Sequence, residues 1–232
     1  MKKPATFHPL SCGVLLFSAA GAFLRSRLYG IGIDEKNLLV RGHPLETALW
    51  ILTALTALWI FLSAAKGKQP PAVRVLPFAL GHIGAAAGIA LAVLSGGTAT
   101  ALVPLWKYTG LSAAVLLALT GLGAVREKRP FFGGYALASV FFALHLVGHY
   151  QGWCSDPRLQ NYFFSFAGIL ALMLLSYYLA AEAIGRGSRG LRISGLLAVF
   201  FCFVSLSGTQ YPLMYALCGL WAFVCPGLPK EA

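Results

Sequence analysis

Residues 75–94 read VLPFALGHIGAAAGIALAVL, an apolar stretch without a charged side chain. At about 1.5 Å per residue a helix of that length reaches about 30 Å, the thickness of a bilayer's hydrocarbon core. On either side, runs of the same character occupy 9–27, 44–65, 108–125, 131–150, 161–184, 193–208 and 211–226, separated by charged or Gly/Pro-rich breaks. Composition agrees, because 58% of the 232 residues are hydrophobic and 11% charged, whereas soluble domains carry about 25% charged residues. The expected fold is an all-α polytopic transmembrane bundle of about eight spans, one transmembrane domain over 1–232 with no soluble domain. Helices of about 20 residues each leave breaks too short for a Rossmann, P-loop or kinase module. The runs at 193–208 and 211–226 are short and Gly208 to Gln210 is a thin separator, so a hairpin that does not fully cross is the alternative there.

Charge orients the bundle. Lys2, Lys3, Lys66, Lys68, Arg74, Arg126, Lys128, Arg129, Arg186, Arg189, Arg192 and Lys230 fall in alternate breaks and tails, twelve cations against six on the other side: Arg25, Arg27, Lys36, Arg41, Lys107 and Arg158. Cytoplasmic loops attract the excess of Lys and Arg, so both termini are expected inside a cell membrane. Tyr29, Trp50, Trp106, Tyr108, Tyr150, Trp153, Tyr162 and Tyr211 fall at the opposite, outer ends, where amphipathic rings favour the headgroup level. The net charge of +11 then belongs to loops facing an anionic leaflet, and the lipid bilayer rather than a nucleic acid is the expected partner. Lys2 and Lys3 before an apolar stretch ending in small residues also fit a cleaved signal peptide, which would leave seven crossings.

Few motifs carry chemistry. Cys12, Cys202, Cys218 and Cys225 lie in spans and Cys154 in an outer loop, so no disulfide framework is expected. Gly81, Gly84 and Gly88 give the third span a face of small residues, fit for the middle of the bundle. There is no Gly-x-Ser-x-Gly, no His-Glu-x-x-His and no lysine in the last spans for a retinal.

Ionisable groups at membrane depth face the interior or a watery cavity, so the few present define the candidates. His145 and His149 are four apart on one helical face, followed by Trp153, Cys154, Asp156 and Arg158. Such a pair could chelate a metal ion with Cys154 or Asp156, or hydrogen-bond neighbouring backbone without one. Arg25, Arg27, Asp34, Glu35, Lys36, Arg41, His43 and Glu46 crowd the first outer loop and its flanks. Arg25 and Arg27 run against the charge rule; snorkelling to lipid phosphates, pairing with Asp34 or Glu35, and contact with an anionic ligand are the readings. His82 is the one deep histidine, expected to bond a facing Ser or a backbone carbonyl, with a proton relay as the alternative. Glu182 and Arg186 read as an i, i+4 ion pair at a helix end.

The segments Asp34-Glu35 to Gly42-His43-Pro44, Cys154-Ser155-Asp156-Pro157 to Tyr162, and Tyr177-Tyr178-Leu179-Ala180-Ala181 resemble a group of short polytopic membrane proteins of Gram-positive bacteria. The resemblance implies a bacterial plasma membrane and transfers no site residue.

Three functions remain open. The first is small-solute transport or a membrane-complex subunit, with an outward-facing polar vestibule. The second is a sensor or accessory protein signalling to a membrane or cytoplasmic partner subunit through Arg126–Arg129 and Arg186–Arg192. The third is a metal-dependent enzyme at the outer face, although an enzyme is not the expected outcome. The expected ligand site joins Glu46, His145, His149 and Asp156 in one pocket with Arg25 and Asp34 nearby, roofed by residues 30–43, holding a small polar solute, no metal and no cofactor. A topology reporter fused after Ala65 is expected to read out on the cytoplasmic side. An external readout would refute the orientation, and seven crossings would support cleavage of the first span.

Overall fold

The structure, a computed structural model, describes residues 9–32, 43–65, 75–96, 103–126, 130–153, 159–186 and 189–225. Among these there are eight helices and no strand: α1 (Pro9–Ile31), α2 (Pro44–Ala65), α3 (Val75–Leu94), α4 (Val103–Val125), α5 (Phe132–Trp153), α6 (Leu159–Ala183), α7 (Arg189–Val204) and α8 (Pro212–Val224). The apolar runs at 44–65 and 75–94 coincide with α2 and α3. α4 begins five residues before its apolar run because Trp106 turns inward and Lys107 outward, so the helix tolerates a cation near its end. The first six helices are long and apolar enough to cross a membrane, as befits a multi-pass membrane protein.

α7 and α8 have 16 and 13 residues, about 24 and 20 Å, short of the roughly 30 Å core. The separator between them is a real turn. Ser205 to Gly208 leave the helix, Gly208 takes φ +81, and Pro212 opens α8, a position where the missing N–H has no intrahelical acceptor anyway.

Successive helices pack side by side, α3 on α4, α4 on α5 and so on to α7 on α8, and α8 returns to α3, which closes a ring of six. α1 and α2 lie outside the ring against α7. Only 22% of the span in α2 is buried, against 50% in α3 and α6, so α2 is the most peripheral helix. The alternating directions bring the ends of α1, α3, α5 and α7 and the starts of α2, α4, α6 and α8 together. Side-chain contacts Gly96–Tyr211, Trp106–His145, Tyr215–Ser165, Arg25–Val204 and Trp50–Phe163 all fall at this level. We refer to it as the His149 end.

Between helices already in lipid, burial of apolar surface drives little, and close van der Waals packing must hold the bundle. Small residues make that approach. A Cβ on Gly88 would sit 3.3 Å from Met214 Cα in α8, and one on Gly121 would sit 2.9 Å from the Ala79 carbonyl oxygen and 3.0 Å from His82 Cβ. The face of small residues on α3 therefore serves the contact with α8. Around it the large interior side chains are Phe78, Trp106, Tyr135, Phe141, Tyr215 and Trp221.

Gly121→Ala is expected to cost about 1–3 kcal/mol, because backbone rather than a mobile side chain opposes the added methyl. Gly84→Ala meets only Leu217 Cδ2, at 3.9 Å, and should be close to neutral. Unfolding temperatures of the two variants in the same detergent check this; equal losses would refute the packing assignment.

Candidate functional site

α5 sets the site. His145 and His149, one turn apart, both point into the bundle, with ring centroids 4.3 Å apart and planes at 75°. Trp106 in the first turn of α4 donates its indole N–H to His145 Nδ1 at 3.0 Å. The rings of Trp106 and Phe141 lie nearly parallel to the imidazole, at 14° and 22°, with centroids 5.6 Å from it. Tyr211, at the start of α8, presents its ring to both histidines, at 5.4 and 5.3 Å, and its hydroxyl donates across to the Gly96 carbonyl at 3.1 Å. Beside it the Tyr215 hydroxyl donates to the Ser165 carbonyl at 3.0 Å.

Of these residues His149, Tyr211 and Tyr215 border a narrow recess, lined also by Tyr162, Ser165 and the turn Gly208 to Gln210. About 10 Å³ of it is open to the centre of a water molecule, room for roughly one water. Two buried polar atoms at this level, His145 Nε2 and Ser165 Oγ, have no hydrogen-bond partner among the described residues.

Arg25 comes to the same end from α1. It is 2% exposed, so it does not snorkel to lipid phosphates. Its guanidinium donates to the Val204 carbonyl at 3.3 Å and to the Tyr29 hydroxyl at 3.5 Å, and lies 5.0 Å from the Phe164 ring centroid. The carbonyls at a helix C-terminus carry partial negative charge and aromatic faces attract cations. The end of α7 thus offers Arg25 an alternative to the headgroups. Trp106 and Tyr211, expected at the headgroup level with the other aromatics, are buried at 1% and 8% exposure because their polar atoms find partners inside.

Of the residues expected in one pocket, His145, His149, Arg25 and Glu46 lie at the same end of the bundle, and His149 lines the recess. Glu46, in the first turn of α2, is not among the lining residues, and α2 packs on α1 and α7 rather than on α5. Asp34, Asp156, Cys154 and the roof at 33–42 lie outside the described residues. Among the described residues no three His, Cys, Asp or Glu side chains gather as a metal cluster. Ser165 and Tyr215 were not picked out by sequence, and Tyr211 only as an outer-end aromatic; their alignment depends on which turns of α6 and α8 face α5.

A second polar node holds the other end. His82 Nδ1–H donates to the Phe78 carbonyl at 2.7 Å, as expected of a deep histidine. Its Nε2 then accepts from the Tyr135 hydroxyl of α5 at 2.8 Å, a partner one hydroxyl among many in the sequence. Cys225 Sγ lies 3.7 Å from Nδ1. The Glu182–Arg186 pair lacks its helical register, since α6 stops at Ala183, Gly185 takes φ +83 and Arg186 N–H closes back on the Ala181 carbonyl.

No protein-family model, curated protein or solved structure matches the chain. The residues themselves carry the functional reading.

Tyr135→Phe would strip the donor from a fully buried acceptor, for an expected loss of about 1–3 kcal/mol. Thr109→Val removes only the shared bond from Oγ1 to two carbonyls of its own helix, Leu105 and Trp106, and is expected to stay within about 0.5 kcal/mol. Thermal unfolding in detergent separates the two, and parity between them would refute the assignment of His82–Tyr135 as a structural tie.

Proposed function

We propose that this multi-pass membrane protein binds a small polar solute at the His149 end, as a transport protein or as the ligand-binding subunit of a membrane complex, with that end facing out of the cell. The observation that carries the reading is the pair of buried polar atoms without partners among the described residues, Ser165 Oγ in the lining of the recess and His145 Nε2 on the ring packed behind its His149 and Tyr211 walls. Leaving such a group unbonded costs about 1–3 kcal/mol, and a polar ligand relieves that cost.

The dimensions support a closed form. Room for one water is too little for a larger solute, so entry requires the turn at 205–210 to move. Among the contacts that hold that turn are the Tyr211 hydroxyl on Gly96 O, the Tyr29 ring packed against Gly208 and Thr209 Oγ1 accepting from Tyr211 N–H. The reading as a partner-bound subunit draws on α2, whose Trp50, Leu55, Leu58 and Trp59 are exposed along the helix.

The full-length protein in nanodiscs is the test, with its unfolding temperature followed against short amides, carboxylates, amino acids, sugars and ammonium salts. At least one class is expected to raise it, and Ser165→Ala should abolish the rise. Absence of any shift, together with stoichiometric co-purification of an ATPase or kinase subunit, would replace solute binding by assembly.

A further inference from the structure

An indole nitrogen can only donate a hydrogen bond, and a neutral imidazole carries one proton on one of its two nitrogens. Trp106 Nε1–H is aimed at His145 Nδ1 at 3.0 Å, so Nδ1 must present its lone pair. The proton of the neutral ring therefore sits on Nε2. Adding a second proton would place an N–H on Nδ1 facing the indole N–H, donor against donor, and would charge a ring that is 0% exposed. Rotating the ring is opposed by the rings of Phe141, His149, Tyr211 and Trp106 packed round it, with centroids 4.3 to 5.6 Å away.

His145 is thus held as an Nε2–H donor, and that donor meets no acceptor among the described residues. Its ring touches His149 and Tyr211, both of which line the recess, as does Ser165 with its own unbonded hydroxyl at 1% exposure. A transition metal needs a lone pair on the nitrogen that it binds. His145 can supply one at Nε2 only by giving up the Trp106 bond.

We propose that Trp106 is the specificity-determining residue of this site, fixing His145 as a donor so that the recess takes an oxygen acceptor, either water or the carbonyl or hydroxyl oxygen of a small solute, in preference to a metal or ammonium ion. The inference rests on the solute-binding reading of the same recess and names its ligand class.

The test uses the full chain, labelled with ¹⁵N-histidine, in lipid nanodiscs. Solid-state NMR, with His145 assigned by difference from His145→Gln, should show a protonated Nε2 and an unprotonated Nδ1. Magnetisation transfer to Nε2–H from water identifies a hydration site, and transfer from ¹³C-labelled acetamide identifies a solute site; either supports the acceptor class. A proton on Nδ1, or an Nε2–H in contact with neither probe, overturns it. In parallel, Cu²⁺ is titrated and followed by electron paramagnetic resonance. Trp106→Phe keeps an aromatic ring at that position but removes the N–H, and should raise the affinity of a His145- and His149-dependent copper site by about tenfold or more. A wild-type protein that already binds Cu²⁺ through both histidines overturns the proposal. The NMR arm needs no Trp106 variant, so misfolding of Trp106→Phe leaves the test intact. If no solute stabilises the protein yet Nε2 is protonated and contacts water, solute binding fails while the acceptor site stands. If a solute stabilises the protein yet the proton sits on Nδ1, solute binding stands while the acceptor site fails.

Discussion

A polar atom placed in hydrocarbon has no water to fall back on, and that constraint organises this bundle. Helix formation satisfies the backbone; the side chains must then find partners on another helix or on their own turn. Ser18, Thr53, Thr56, Thr120 and Ser176 take the local solution and donate to a carbonyl four residues back. Arg25, His82, Trp106, Tyr211 and Tyr215 take the long-range one, and each joins two helices. The long-range set is what fixes the rotation of α3, α4, α5 and α8 about their axes, since apolar faces slide against lipid and against one another with little preference. The two nodes sit at opposite ends of the ring, with α5 in both.

The glycine contacts and the polar nodes reinforce each other. A close approach such as Gly121 on Ala79 draws α4 onto α3, next to His82, and the approach of Gly88 to Met214 brings α8 near enough for Tyr211 to reach Gly96. A methyl group at one of these glycines would push apart hydrogen bonds that it does not touch.

Much of the fold was legible because hydrophobic runs report helix existence directly; α2 and α3 were bounded correctly from the charges and prolines that flank them. α7 was displaced by four residues because Ser205 to Gly208 are apolar enough to extend a run while Gly208 bends the backbone out of the helix. In the site, His145 and His149 were legible through their spacing alone. Trp106 was legible for its level at a helix end but not for its inward facing, because position along the helix says how deep a ring lies and nothing about which way it points. Arg25 was read from charge statistics, whereas its environment is set by where α7 ends, and that depends on the turn. Ser165 carried no signal at all, being one of several serines in apolar runs.

The register of α8 against α3 has a consequence for how the bilayer meets the protein. Met214 stands opposite Gly88, so Pro212 lies about 6 Å below the end of α3 at Leu94, at 1.5 Å per residue. The turn that roofs the recess is therefore sunken, walled by the longer neighbouring helices, and the Tyr211 side chain spans the step up to Gly96. Lipids around the rim face a shaft of full length on one side and a shortened one on the other. Such mismatch is accommodated by local thinning of the bilayer or by tilt. The polar atoms of that turn thus lie deeper than the ends of the longer helices, at a level where the thickness of the surrounding bilayer sets how much water reaches them.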